Sequence, residues 1–261
     1  MTALIAIVLY TASWIGLMTS TLKRQKAHIA CYAGIGLGTL CHAYAAYTHM
    51  ITSDGVQFGF FQVGSVIFVC INLITLLGTF RHPLGNIFIL LLPLELVAIL
   101  CAMLITTHTP VEQGMSKALI AHILLSIVAY SLISIATLQA ILLNYQTEKL
   151  RSHHIKPLMG IFPPLQTMES LLFYLVWASF IILSLSIATG ILFIEDLFAQ
   201  HLTHKTAFSI ISWVLYAILL FGRHALGWRG KVAIRWVIAG FAMLMLAYFG
   251  SKFVLEFILQ T

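Results

Sequence analysis

The chain has 261 residues, of which 61% are hydrophobic and only 8% charged, with a formal net charge of +6. A water-soluble domain carries about 25% charged residues, so a chain with a mean hydropathy of +1.00 cannot cover itself in water and must have lipid as its solvent. The positive balance is no nucleic-acid footprint, because no RNA- or DNA-binding motif accompanies it and membrane topology accounts for the basic residues.

A crossing helix needs about 20 apolar residues at ~1.5 Å rise each. Eight stretches meet that length: 2–22, 27–47, 58–80, 86–107, 118–144, 168–194, 206–221 and 232–259. The expected fold class is all-α, a polytopic transmembrane helical bundle of about eight spans. No connection is long enough to fold by itself, so residues 1–261 are expected to form a single integral membrane domain.

Taken in chain order, span one is followed by Lys23, Arg24 and Lys26 and has no basic segment before it, which excludes a cleavable signal peptide. Asp54-Gly55 marks a tight turn between spans two and three. Arg81 follows span three; Lys149, Arg151 and Lys156 follow span five; Arg223, Arg229 and Lys231 follow span seven, with Arg235 just inside span eight. The alternate connections hold Asp54, Glu112, Glu195 and Asp196, with Lys117 and Lys205 their basic members. Basic residues stay on the cytoplasmic side, so both termini are expected outside, periplasmic in a bacterial inner membrane. The longest connection, 145–167, contains Pro157, Pro163 and Pro164, which end one helix and restart the chain before the next.

Polar residues inside lipid need a reason. Cys31, Cys41, Cys70 and Cys101 all lie in apolar segments, and none forms the CxxC or CxxCH spacing of thiol exchange or covalent haem attachment. Of eleven histidines, His28, His82, His153, His154 and His224 fall at cytoplasmic ends, where headgroup contact explains them. His201 and His204, beside Glu195 and Asp196, read as a wet loop or as a metal site at i, i+3 spacing.

His42 and His122 differ. His42 lies about three turns into span two and His122 about one turn into span five; these spans run in opposite directions, so the two reach one depth. Two neutral imidazoles facing each other can ligate a haem iron from both sides; interhelical hydrogen bonding is the plainer alternative. His49 follows on nearly the same helical face as His42, and His108 lies just outside span four. Glu95 falls near the middle of span four, two residues after Pro93, and must face the bundle interior and be paired or neutralised there. Asn72 on span three reaches the same depth. A Glu95–Asn72 hydrogen bond is the structural reading, a proton or substrate relay the functional one.

Several further residues read as architecture. Glu169 suits the start of span six, Lys252 and Glu256 are spaced to pair, Trp228 and Trp236 are interfacial anchors, and Gly34, Gly36 and Gly38 permit close helix approach. P-loop, GxSxG, HExxH and kinase signatures are absent, as are paired acids suited to glycoside chemistry.

Residues 212–251, with Ser212-Trp213, Gly227-Trp228-Arg229-Gly230 and Ala247-Tyr248-Phe249-Gly250-Ser251, resemble the closing two helices of the cytochrome c assembly superfamily (CcsA-, CcmC- and HemX-like), nearest its YpjD-like inner-membrane branch. Cys41-His42-Ala43, Val63-Gly64-Ser65, His122 with Ser126 and Tyr130, and Pro163-Pro164-Leu165 with Met168-Glu169 extend the resemblance over nearly the whole chain. It implies haem as cofactor or cargo near the periplasmic face, membrane-protein partners of c-type cytochrome maturation, and His122 as an axial haem ligand. Two departures stand out. The family's tryptophan-rich haem-presenting loop would fall at 195–205, which is short and holds no tryptophan; and Ser251 leads into Lys252-Phe253-Val254-Leu255-Glu256 where the family has a second outer histidine. The resulting expectation is a haem-binding inner-membrane protein using His122 and His42, without its own ligation activity. A permease-type subunit built around Glu95 and Asn72, and a non-catalytic scaffold stabilising a partner, are the alternatives.

Overall fold

The structure is a computed structural model that describes residues 1–23, 25, 27–53, 55–105, 111–112, 115–151, 162–193, 200–254 and 256, with residues 52, 111–112 and 200–203 described in backbone alone. Arg24, Lys26, Asp54, His108, His153, His154, Lys156, Pro157, Glu195 and Asp196 lie outside the described residues, as does the His201 side chain.

Among the described residues, eight helices are long and apolar enough to cross a membrane: α1 (Thr2–Leu22), α2 (Ile29–Met50), α3 (Phe60–Thr79), α4 (Phe88–Leu104, entered through a 3-10 turn at Gly85–Ile87), α5 (Lys117–Arg151), α6 (Leu165–Phe193), α7 (Gln200–Ala225) and α8 (Lys231–Met245, continued below). The last span continues through a π-helical turn at Leu246–Gly250 into a short α9 (Ser251–Phe253). Exposed apolar side chains such as Val8, Leu40, Leu77, Val97 and Leu124 clothe the outside, as a lipid solvent requires. Three strand scraps, β1 (Ile51–Thr52), β2 (Gly55–Gln57) and β3 (Val111–Glu112), pair antiparallel at one end, and Gly55 has the positive φ that the expected turn demands.

The helices pack as two quartets. In the first, α1 packs on α2, α2 on α3, α3 on α4, and α4 returns to α1; in the second, α5, α6, α7 and α8 close in the same cyclic order, and α3 against α5 is the main seam between them. Small residues make the close contacts within each quartet. A Cβ on Gly38 would stand 2.7 Å from the Tyr10 ring, and one on Gly240 would stand 2.6 Å from the Tyr216 ring, so each glycine is the seat of a buried tyrosine.

Backbone polar groups are accounted for where helix geometry fails. Pro93 has no N–H, which frees the carbonyl of Ile89 one turn earlier. The indole Nε1 of Trp14 on α1 donates to that carbonyl at 3.1 Å, so the proline defect of α4 is repaired by its neighbour in the quartet. Where α8 changes to the π turn, the Tyr130 hydroxyl donates to the Leu244 carbonyl at 2.6 Å.

Charges sit at the two ends. Glu169 at the start of α6 accepts from Arg223 Nη1 and from Arg229 Nε, both at 2.9 Å, beside the Trp228–Trp236 stack. At the opposite end Lys252 pairs with Glu256 at 3.1 Å, and the same carboxylate accepts from the Phe60 N–H, capping α3.

Candidate functional site

The first quartet encloses a connected polar core. His42 is 1% exposed and Glu95 and Asn72 are both 0% exposed. Glu95 Oε1 accepts from His42 Nδ1 at 3.0 Å and Glu95 Oε2 accepts from Asn72 Nδ2 at 2.7 Å. With its proton on Nδ1, His42 accepts at Nε2 from the Ser65 hydroxyl at 2.8 Å. Asn72 Nδ2 also donates to Thr39 Oγ1 at 3.2 Å, and the Tyr10 hydroxyl reaches the same oxygen at 3.3 Å. The expected Glu95–Asn72 hydrogen bond is therefore present. A buried carboxylate is tolerable because two donors from two different helices meet its two oxygens.

The second quartet contains a different kind of histidine. The Nδ1 of His122 lies 2.9 Å from the Ser186 carbonyl on α6 and 3.3 Å from Thr189 Oγ1. A carbonyl only accepts, so the proton is on Nδ1 and Nε2 carries a lone pair. This is the arrangement in which histidines ligate metals: one nitrogen is fixed by a carbonyl, and the other is left basic. Gly190 makes room for the imidazole, since a Cβ there would stand 3.1 Å from His122 Cε1. Ser126 and Ser186 hydroxyls join at 2.8 Å below it.

His122 lines a recess between α5, α6, α7 and α8 with a cavity volume of about 160 Å³, open on one side. Its walls are mainly apolar (Ala129, Leu183, Ile187, Ile191, Ile210), with Lys205, Thr206 and Ser209 of α7 entering from one side.

The structure does not bring His42 and His122, expected to face one iron, into one recess. His42 lines a separate small recess with His49, Gln62 and Ser65 in the first quartet, while His122 turns toward α6 in the second. The reason is rotational. Residue counting fixed the depth of each histidine, but the azimuth of each helix is set by its quartet, and both His42 nitrogens are already engaged. No group of three or more His, Cys, Asp or Glu suited to a metal ion occurs among the described residues. A haem-type ligand therefore finds one imidazole and apolar walls at His122, and the described wall residues provide no second histidine, methionine or cysteine. Thr39 and Tyr10 around His42, and Ser186 and Gly190 around His122, escaped the sequence reading, which noted Ser65 and Lys205 but placed neither beside a histidine. Lys205 in particular is helical and half-buried, where a loop residue was expected.

The chain matches the family model described as cytochrome C assembly protein over residues 35–259. It is 27% identical over 264 residues to the inner membrane protein YpjD of Escherichia coli (strain K12), covering 98% of both chains, and equally similar to YpjD of strain O157:H7. An "Uncharacterized 28.8 kDa protein in nifR3-like 5'region" of Azospirillum brasilense is 33% identical over 140 residues, 53% of this chain and 52% of that protein. No solved structure matches.

Proposed function

Because the chain belongs to the cytochrome c assembly protein family, we propose that it is a haem-handling, multi-pass protein of the bacterial inner membrane, with both termini periplasmic and the His122 recess as its haem site. The observation that supports this most is the His122 imidazole, whose Nδ1–H is spent on the Ser186 carbonyl and whose Nε2 has no hydrogen-bond partner among the described residues. A haem iron bound there would supply a Lewis-acidic, redox-active centre. The residues of the chain bind and orient: Ser186 fixes the tautomer, Gly190 seats the imidazole, and the apolar walls keep water from the metal side. His42 is left out of the site because Glu95 and Ser65 hold both its nitrogens. The absence of tryptophan from 195–205 argues for holding or passing haem to membrane-protein partners of cytochrome maturation, and against ligation by this chain alone.

The test is an absorption titration of the detergent-purified protein with haemin. Wild type and His42→Ala give a Soret band characteristic of axial imidazole, and His122→Ala loses it. A band that survives His122→Ala, or none in wild type, refutes the reading.

A further inference from the structure

The recess beside His122 contains a cation that no carboxylate neutralises among the described residues. Lys205 lies near the start of α7 and shares that wall with Thr206 and Ser209, one and four residues on. Among the described residues no carboxylate pairs with it. The charged group that acts on it is another cation, Lys252, whose partner Glu256 is committed to Lys252 and to the Phe60 N–H. The nearest compensation is the face of Tyr248, with Nζ 5.9 Å from the ring centroid. A half-buried ammonium beside a like charge is a costly arrangement for a chain with so few charges to place. The rest of the lining is mainly apolar and includes the His122 imidazole.

We propose that Lys205 is an anion anchor, and that the His122 recess takes amphiphiles with a flat or chain-like apolar body and a carboxylate that pairs with the Lys205 ammonium. This deepens the haem reading, because it rests on the same recess, but it requires a carboxylate and not an iron. Lys205 acts on the ligand's acid group while His122 acts on its metal, so the two ends of the site are separable by chemistry. The hydroxyls of Thr206 and Ser209 stand on the same wall to complete the shell around the carboxylate.

The experiment uses the full-length protein in detergent and two metal-free probes, protoporphyrin IX and its dimethyl ester, followed by porphyrin fluorescence. The free acid is expected to bind wild type at least about tenfold more tightly than the ester, from one charge-assisted pair. Lys205→Met removes that preference and leaves ester affinity unchanged; Lys205→Arg keeps it, which also shows that the site still folds. Equal affinity of acid and ester for wild type, or a preference that survives Lys205→Met, overturns the anchor. Haemin in parallel separates the two readings. A carboxylate preference without any His122-dependent Soret band leaves the anchor standing and the iron site refuted, and the reverse result refutes the anchor alone. Failure of both porphyrins to bind overturns the anchor as well.

Discussion

Replacing His42 by alanine strips Glu95 Oε1 of its donor in a place that water does not reach. Both partners are essentially unexposed and joined at 3.0 Å. Breaking a buried pair by deleting one member costs about 3–5 kcal/mol, because the surviving charge is left without compensation. In a chain of this size each kcal/mol moves Tm by roughly 2–4 °C, so His42→Ala is expected to melt roughly 6–20 °C below wild type. Glu95→Gln should cost much less, about 1–2 kcal/mol, since the amide keeps the shape and can meet His42 in its other tautomer. The double variant should then be less damaged than the sum of the two, with a coupling of about 1–3 kcal/mol. The assay is thermal unfolding in one detergent, followed by tryptophan fluorescence, in which Trp14 reports the first quartet directly. A His42→Ala protein within about 2 °C of wild type, or strictly additive losses, would refute the claim that the His42 donor stabilises the buried Glu95 carboxyl group.

Trp14→Phe keeps the aromatic body but leaves the Ile89 carbonyl without its donor, and should destabilise by about 1–3 kcal/mol in the same melt. Pro93→Ala in that background supplies the missing N–H and should restore most of the loss; no restoration would mean that the indole is there for packing alone. Gly190→Val fills the seat of the His122 imidazole, and is expected to weaken haemin binding by at least about tenfold at an overpacking cost of about 1–3 kcal/mol to the apo-protein. Unchanged haemin affinity in Gly190→Val would show that the imidazole does not need its present position to bind.

The eight crossings were legible because lipid imposes one rule along the whole chain, apolar length, and that rule is local. The ends were less so. The apolar criterion stops span five at residue 144, yet α5 runs to Arg151 because Gln146-Thr147-Glu148-Lys149-Leu150 favours helix and Lys231 pairs with Glu148 beyond the lipid-soluble part. The last span reads as one uninterrupted stretch, yet α8 yields at Met245 to a π turn, which hydropathy does not register. Within the site, Glu95 and Asn72 were matched by depth, and depth follows from counting residues at a fixed rise. His42 and His122 line separate recesses because of the other coordinate: rotation about the helix axis depends on which neighbours pack, and packing is non-local. Lys205 was misplaced for a related reason. A basic residue between two spans is assigned to a loop by charge, and only the recess it lines together with His122 shows which way it points.

The order of the helices in the first quartet has a bearing on how the chain is made. Glu95 is the most expensive residue to bring into a bilayer, and its two donors, His42 and Asn72, both come earlier in the sequence. Synthesis proceeds from the N-terminus, so by the time α4 arrives, α2 and α3 have already been delivered and the acceptor meets waiting donors. A rearranged gene that delivered α4 first would present the membrane with a solitary acid, and the same eventual contacts would have to be reached from a far worse starting point.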